Sequence, residues 1–332
     1  MKNAVKTILK FAFAFGLIFW LIDSGKLDLT VLEKAAQDPL RMITGFLIIL
    51  SILLMVTWRY YLIITDKMVK KPSFLKITKF NWIGLFFNSV LPGSVSGDIV
   101  KVFYLKDLDK NLSNRFLFAS VLIDRFVGLF GLIIILGLFS IINYESLSQM
   151  SSDIKTLLDI NLLLLAGVIF GFVALFFFKE LPKKLLSPFM KIAFLEKFLP
   201  KLIDAWENLC MFKHRIIMLT FISMIIQGLT VVNFWYVVHP FAEGEFLFRY
   251  SFSIVPIGFV AIALPIAPSG LGVGHAVFHK LFGFMGVANG ASLFNIYFIL
   301  LLLGNLLGII PYLLMNKSKR KSLNELEKEA NL

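Results

Sequence analysis

Residues 91–105 read LPGSVSGDIVKVFYL, which sets Asp98 and Lys101 three apart directly after a turn containing Pro92, Gly93 and Gly97. A carboxylate and an ammonium at that spacing can pair along one helix face. The aspartate can also cap the helix start, and together the two can hold the charged parts of a ligand. A second couple, Asp124 and Arg125, lies in FLFASVLIDRFVGLF. Adjacent helical residues point about 100° apart, so at least one of these two must reach a neighbouring helix. Arg125 with Asp98, or Lys101 with Asp124, are the pairings this predicts. His275 and His279 stand four apart, a spacing that can bind metal. No third acidic ligand follows and no HExxH is present, so a hydrogen-bonding or titratable histidine in a cavity is the stronger reading of His275. No nucleophile–base pair, paired carboxylates or cofactor motif can be picked out, so neither a catalytic residue nor a cofactor is assigned.

These groups sit in a chain of 332 residues that is 58% hydrophobic and only 16% charged, with a mean hydropathy of +0.83. Such a composition belongs to an integral membrane protein. Continuous apolar runs, rather than alternating ones, specify helices and exclude a β-barrel. The net charge of +12 is not a nucleic-acid signature. The basic residues collect between apolar runs, where topology rules put them, and they can attract anionic lipid headgroups.

The predicted fold is an all-α polytopic membrane protein, a single transmembrane domain over residues 1–332. Full spans are expected at 5–22, 43–65, 116–142, 161–178, 216–238 and 291–315. The segments 66–80 and 179–215 and the start of the tail are rich in lysine; 23–42, 143–160 and 239–250 are acidic or nearly balanced. Both termini in the cytoplasm satisfy all of them. Residues 183–213, with Leu202, Ile203, Trp206, Leu209 and Cys210 on one face, read as amphipathic helices on the cytoplasmic surface or as a structured linker. Residues 316–332 read as a basic cytoplasmic tail.

Two regions, 81–114 and 250–288, each carry apolar arms about a Pro/Gly turn. The first begins and ends beside basic sequence, and its 81–91 arm is too short to cross, so it reads as re-entrant. The second begins and ends on the other side; a re-entrant hairpin and a pair of full helices both stay open for it. Its turn carries Pro265, Pro268, Gly270, Gly272 and Gly274, and Pro268 to His275 can be laid on Pro92 to Asp98 with one residue of slack. Two such broken segments entering from opposite faces are what an inverted repeat predicts. Non-helical backbone inside a bilayer is tolerated only in a protein interior or against a cavity. Helix starts near Asp98 and His275 would therefore present free amides at depth, a natural anion site. Arg59, near the end of its span, is expected to snorkel to the surface. Asn88 is a candidate cavity residue, although it, Gln227, Asn233, Asn295 and Asn305 more often make interhelical hydrogen bonds.

Three places carry a resemblance: Leu91-Pro92-Gly93 through Gly97-Asp98 and Lys101, Asp124-Arg125-Phe126-Val127-Gly128-Leu129, and Leu264-Pro265-Ile266 through Gly270-Leu271-Gly272-Val273. They resemble motifs of the lysylphosphatidylglycerol synthase transmembrane family, which includes flippase-like proteins and the membrane half of the multiple peptide resistance factor. The spacing between them spreads the resemblance over most of the chain. Many relatives carry Arg-Glu where this chain has Gly274-His275, which puts any role for that glutamate in doubt here. Relatives that make aminoacyl-lipid add a large soluble domain, and the tail KSKRKSLNELEKEANL is too short to be one. The resemblance implies translocation of a lipid headgroup without its synthesis, with membrane lipids of anionic or zwitterionic headgroup as partners in a bacterial cytoplasmic membrane. A membrane enzyme acting on a lipid phosphate and an ion or small-solute carrier are the alternatives.

Overall fold

The computed structural model describes residues 30–66, 68, 70–90, 96–109, 111–178, 212–263, 270 and 272–315, with isolated positions in 19–23 and 180–210. The span expected over 5–22, most of 183–213, the tail 316–332, and Pro92, Gly93, Pro265 and Pro268 lie outside the described residues. The described chain is helical throughout, without strands. Its helices are α1 (Thr30–Ala36), α2 (Pro39–Ile64), α3 (Phe74–Val90), α4 (Ser96–Leu108), α5 (Asn114–Ser148), α6 (Ser152–Phe177), α7 (Lys213–Val238), α8 (Phe248–Ala263), α9 (Val273–Phe284), α10 (Gly290–Leu306) and α11 (Ile309–Leu313).

Among the described residues, five stretches are long and apolar enough to cross a membrane: Pro39–Ile64, Asn114–Ser148, Ser152–Phe177, Lys213–Phe241 and Gly290–Leu313. They correspond to five of the six expected spans. Their outward residues are apolar, with Leu163 at 72%, Phe170 at 63% and Phe177 at 77% exposure. A continuous face of that kind suits lipid and would be an association hazard in water. α5 is the hub, packing on α2, α4, α6, α7 and α8. Hydroxyl N-caps fix where α5 and α6 begin: Ser113 accepts from Phe116 N, and Ser151 from Ile154 N.

Between the long helices lie two short helix pairs. At about 1.5 Å per residue, the 17-residue α3 and the 13-residue α4 reach about 25 and 20 Å, less than a ~30 Å hydrocarbon core. Ile77 near the start of α3 and Leu105 near the end of α4 share one buried cluster with Ile64, Met68, Phe116 and Phe212. The pair therefore starts and finishes on the basic face, where α2 ends and α5 and α7 begin. α8 and α9, of 16 and 12 residues, are shorter still. Phe246 meets Phe282, and Ala288 N donates to Glu243 O, so this pair starts and finishes on the opposite face. Among the described residues, 250–288 hold these two short helices on either side of 264–269, which lie outside the described residues.

Two boundaries differ from expectation. The first arm starts at Phe74, not 81, because Lys76 and Lys79 are good helix formers and sit on the solvated start of α3 rather than in a loop. The span expected from 161 starts at Ser152; its first turns carry Asp153, Lys155 and Asp159 beyond the apolar stretch that marked it.

Candidate functional site

The tip of the first hairpin depends on small residues. A Cβ on Gly97 would collide with the carbonyl oxygen of Gly84, and one on Gly84 would lie 2.8 Å from the Gly97 oxygen. Only two glycines let α3 and α4 approach this closely. Asn88 Oδ1 then accepts from Gly97 N at 2.8 Å, satisfying one of the amides that a helix start leaves unpaired. Asn88 thus joins the two arms of the hairpin.

α4 begins at Ser96, so Asp98 sits in its first turn rather than at the cap position. The residue is 9% exposed. Arg125 Nε donates to its carboxylate at 2.8 Å and Arg125 Nη2 at 2.5 Å. Lys101 Nζ stands 3.4 Å from its other oxygen. Lys101 also donates to Asn81 Oδ1 at 3.3 Å and lies 3.8 Å from the centre of the Tyr60 ring, a cation–π contact in a desolvated setting.

Of the two expected pairings, the structure makes Arg125–Asp98 and replaces Lys101–Asp124. Asp124 is taken by Arg59, whose Nε donates to it at 2.8 Å while Nη1 donates to Ser223 Oγ at 2.7 Å. Arg59 does not snorkel: it is 4% exposed. Its inward course has a steric cause. Gly128 leaves the space its guanidinium fills, since a Cβ there would lie 3.3 Å from Nη1. A buried arginine needs a carboxylate and further acceptors to offset its desolvation, and α5 and α7 supply both. Asn81 Nδ2 donates to Thr57 Oγ1 at 2.8 Å, completing a polar chain from α2 through α3 to α4.

Arg59, Asp124, Arg125, Gln227 and Thr230 line a cavity of about 470 Å³, with Phe259 and Ala263 of α8 and Tyr297 of α10. The Arg125 side chain is 40% exposed. The wall thus joins α2, α5 and α7 to the end of α8 and to α10, and Arg125 links it to Asp98 of the first hairpin. Three cations (Arg59, Lys101, Arg125) face two carboxylates (Asp98, Asp124) among the described residues of this cluster. The excess of positive charge suits an anionic or phosphate-bearing group.

His275 stands apart. It is the third residue of α9, 1% exposed, with Nε2 3.1 Å from Asn295 Oδ1 and its ring edge-on to Phe294 and Phe298. It packs against α10 and does not line the cavity. Gly270 and Gly272 take positive φ values of 73° and 78°, the conformation that the turn before α9 requires. Gly274 leaves room for Phe294, 2.5 Å from where its Cβ would be. Among the described residues, no cluster of three or more His, Cys, Asp or Glu is placed to hold a metal.

Sequence reasoning passed over Asn81, Tyr60, Thr57 and Ser223. A signal existed for the first: Asn81, Gly84 and Asn88 recur at three and four residues, one polar and small face on an otherwise apolar arm. The other three are single polar residues in spans, and only contact distances distinguish them. Asn233 Nδ2 donates to Gly45 O and Gln227 Nε2 to Gly128 O, so both tie helices together, with Gln227 also reaching the cavity.

A family model described as the lysylphosphatidylglycerol synthase TM region matches residues 7–308. The chain belongs to that family. The match spans both hairpins and all five long helices, and it makes this an integral membrane protein linked to lipid handling. Searches of curated proteins and of solved structures found no match. Within this member of the lysylphosphatidylglycerol synthase transmembrane family, the Asp98–Arg125 and Arg59–Asp124 pairs form the charged centre.

Proposed function

We propose that the protein is a flippase-like transporter that moves the headgroup of a phospholipid, aminoacyl-lipid or polyprenyl phosphate across a bacterial cytoplasmic membrane. The observation that carries this reading is the cluster of three cations and two carboxylates, of which Arg59, Asp124 and Arg125 line a cavity shared with α8 and α10. The headgroup phosphate takes the place beside Arg125 while the acyl chains stay in the bilayer. Asp98 and Asp124 hold the cations in position and limit their desolvation cost. An amine on a zwitterionic headgroup meets the same carboxylates. The basic connections at the end of α2 and the start of α7 support a cytoplasmic side for that face under the positive-inside rule.

Hairpins that end in mid-bilayer give such a transporter a way to alternate access. The first hairpin is held to its neighbours by a few polar contacts rather than by a full span, so it can shift without breaking a transmembrane helix. Headgroup movement in reconstituted vesicles tests this. Lys101→Ala and Arg125→Ala are expected to abolish movement while the protein still folds, and wild-type rates in both would overturn the assignment.

A further inference from the structure

The basic face carries a second, separate feature. A groove of about 910 Å³ lies where the first hairpin meets the surface, lined by Lys70, Lys71, Lys76 and Lys79, with Leu75 and Asp109. Three pieces of chain build it: the connection before α3, the first turns of α3, and the connection after α4. Both ends of the hairpin therefore contribute.

Its framework is held in place. Tyr61 Oη donates to the Pro72 carbonyl at 3.2 Å, and the Tyr61 and Phe74 rings meet edge-on at 5.8 Å, fixing the connection that carries Lys70 and Lys71. On the other wall, Asp109 Oδ1 accepts from Asn111 N at 3.0 Å. The nearby carboxylate of Asp66 is engaged by Arg215 at 3.0 Å and His214 at 3.6 Å. Among the described residues, none of the four lysines is in an ion pair. Four ammonium groups thus converge on one groove whose single lining carboxylate is already hydrogen-bonded. The amino-terminal turn of α3 adds the positive end of a helix dipole.

The remaining lining is apolar. Leu75 is 77% exposed beside the lysines, and Leu108 and Met68 form part of the wall. Lysines next to exposed aliphatic side chains at the level where helices leave the bilayer match an amphiphile, with charge above and hydrocarbon below.

We propose that this groove binds the phosphate of an anionic membrane lipid at the interface, as a site distinct from the central cavity. Its occupant bridges the two ends of the re-entrant hairpin and so steadies the hairpin whose tip carries Asp98. The inference stands whether or not the central cavity transports lipid.

The test uses the full chain purified in detergent, with retained lipid counted by native mass spectrometry. Phosphatidylglycerol is expected to be retained at least about tenfold more tightly than phosphatidylcholine, a modest demand given what each basic residue contributes near a charged surface. Lys70→Gln/Lys71→Gln/Lys76→Gln/Lys79→Gln removes that preference, and the milder Lys70→Gln/Lys71→Gln, which leaves α3 untouched, weakens it. Lys34→Gln/Lys155→Gln, both away from the groove, leaves it unchanged. Undiminished preference in both groove variants overturns the site. So does loss of binding in Lys101→Ala and Arg125→Ala with retention in the groove variants, which places the lipid in the central cavity. Displacement of phosphatidylglycerol by an equal concentration of inorganic phosphate overturns the lipid as the ligand and leaves a free-anion site.

Discussion

The two hairpins approach one another from opposite faces with similar lengths, yet their interiors are made of different matter. The first is polar: Asn81, Asn88, Asp98 and Lys101 bind across it and outward to Arg125, Thr57 and Tyr60. The second is aromatic: Phe278 lies within stacking distance of Phe234 and Phe294, with ring centres at 5.1 and 4.8 Å, and Phe259 meets both Phe234 and Tyr297. Even its histidine is enclosed by phenylalanine rings. One geometry is thus held in two ways. Directional hydrogen bonds and ion pairs define a few discrete arrangements, whereas close-packed rings resist displacement of any kind. Under the proposed transport, the first hairpin is the one that would sense the headgroup and the second would serve as a rigid backstop.

Four measurements can break or sharpen that contrast. The largest effect is expected from Arg59→Ala, which strands the Asp124 carboxylate inside the protein. Losing one partner of a buried pair costs about 3–5 kcal/mol, so thermal unfolding in detergent should show a large drop. Replacing both partners, as Arg59→Leu/Asp124→Leu, should recover much of the stability without recovering headgroup movement. If the double variant moves headgroups normally, the charges are structural only.

Phe278→Ala is next, with a cost of about 3 kcal/mol from lost burial and the cavity left between Phe234 and Phe294. Here stability and transport should fall together, because the second hairpin has no separate polar role. A stable Phe278→Ala protein that fails to transport would assign the aromatic hairpin a direct part in the cycle.

Gly97→Ala pushes a methyl group at the Gly84 carbonyl and is expected to cost about 1–3 kcal/mol through overpacking. Its signature is a parted hairpin tip, read as faster hydrogen exchange at the α4 amides. Unchanged exchange would show that the close approach is not what seats Asp98.

The smallest effect concerns neither hairpin and serves as the reference. Asp38 caps α2 and pairs with Arg41, whose side-chain and backbone hydrogen bonds hold its carboxyl below the ordinary value of 3.8. A depressed carboxyl stabilises the fold above its unfolded value, and that contribution disappears as pH falls through the lower folded value. Comparing the wild type with Asp38→Asn from pH 6 to pH 3 should show a difference that narrows only below about 3.8. This exposed group should leave headgroup movement near neutral pH untouched.

Much of the architecture was legible from the residues alone. Apolar runs of bilayer length determined the helices and marked the five long apolar stretches among the described residues, because hydrocarbon admits little else. The Pro/Gly turns marked where helices break, since glycine alone accepts the backbone angles seen at Gly270 and Gly272. Asp98 and Arg125 could be paired in advance because few groups at membrane depth can answer a charge. Three matters were decided only by tertiary structure: that Arg59 turns inward, that Lys101 serves Asp98 instead of Asp124, and that His275 faces α10 rather than the cavity. Each depends on which helix lies beside which and on the room a single glycine such as Gly128 leaves. Sequence spacing sets the direction of a side chain on its own helix, but its partner is chosen by packing between helices distant in the chain.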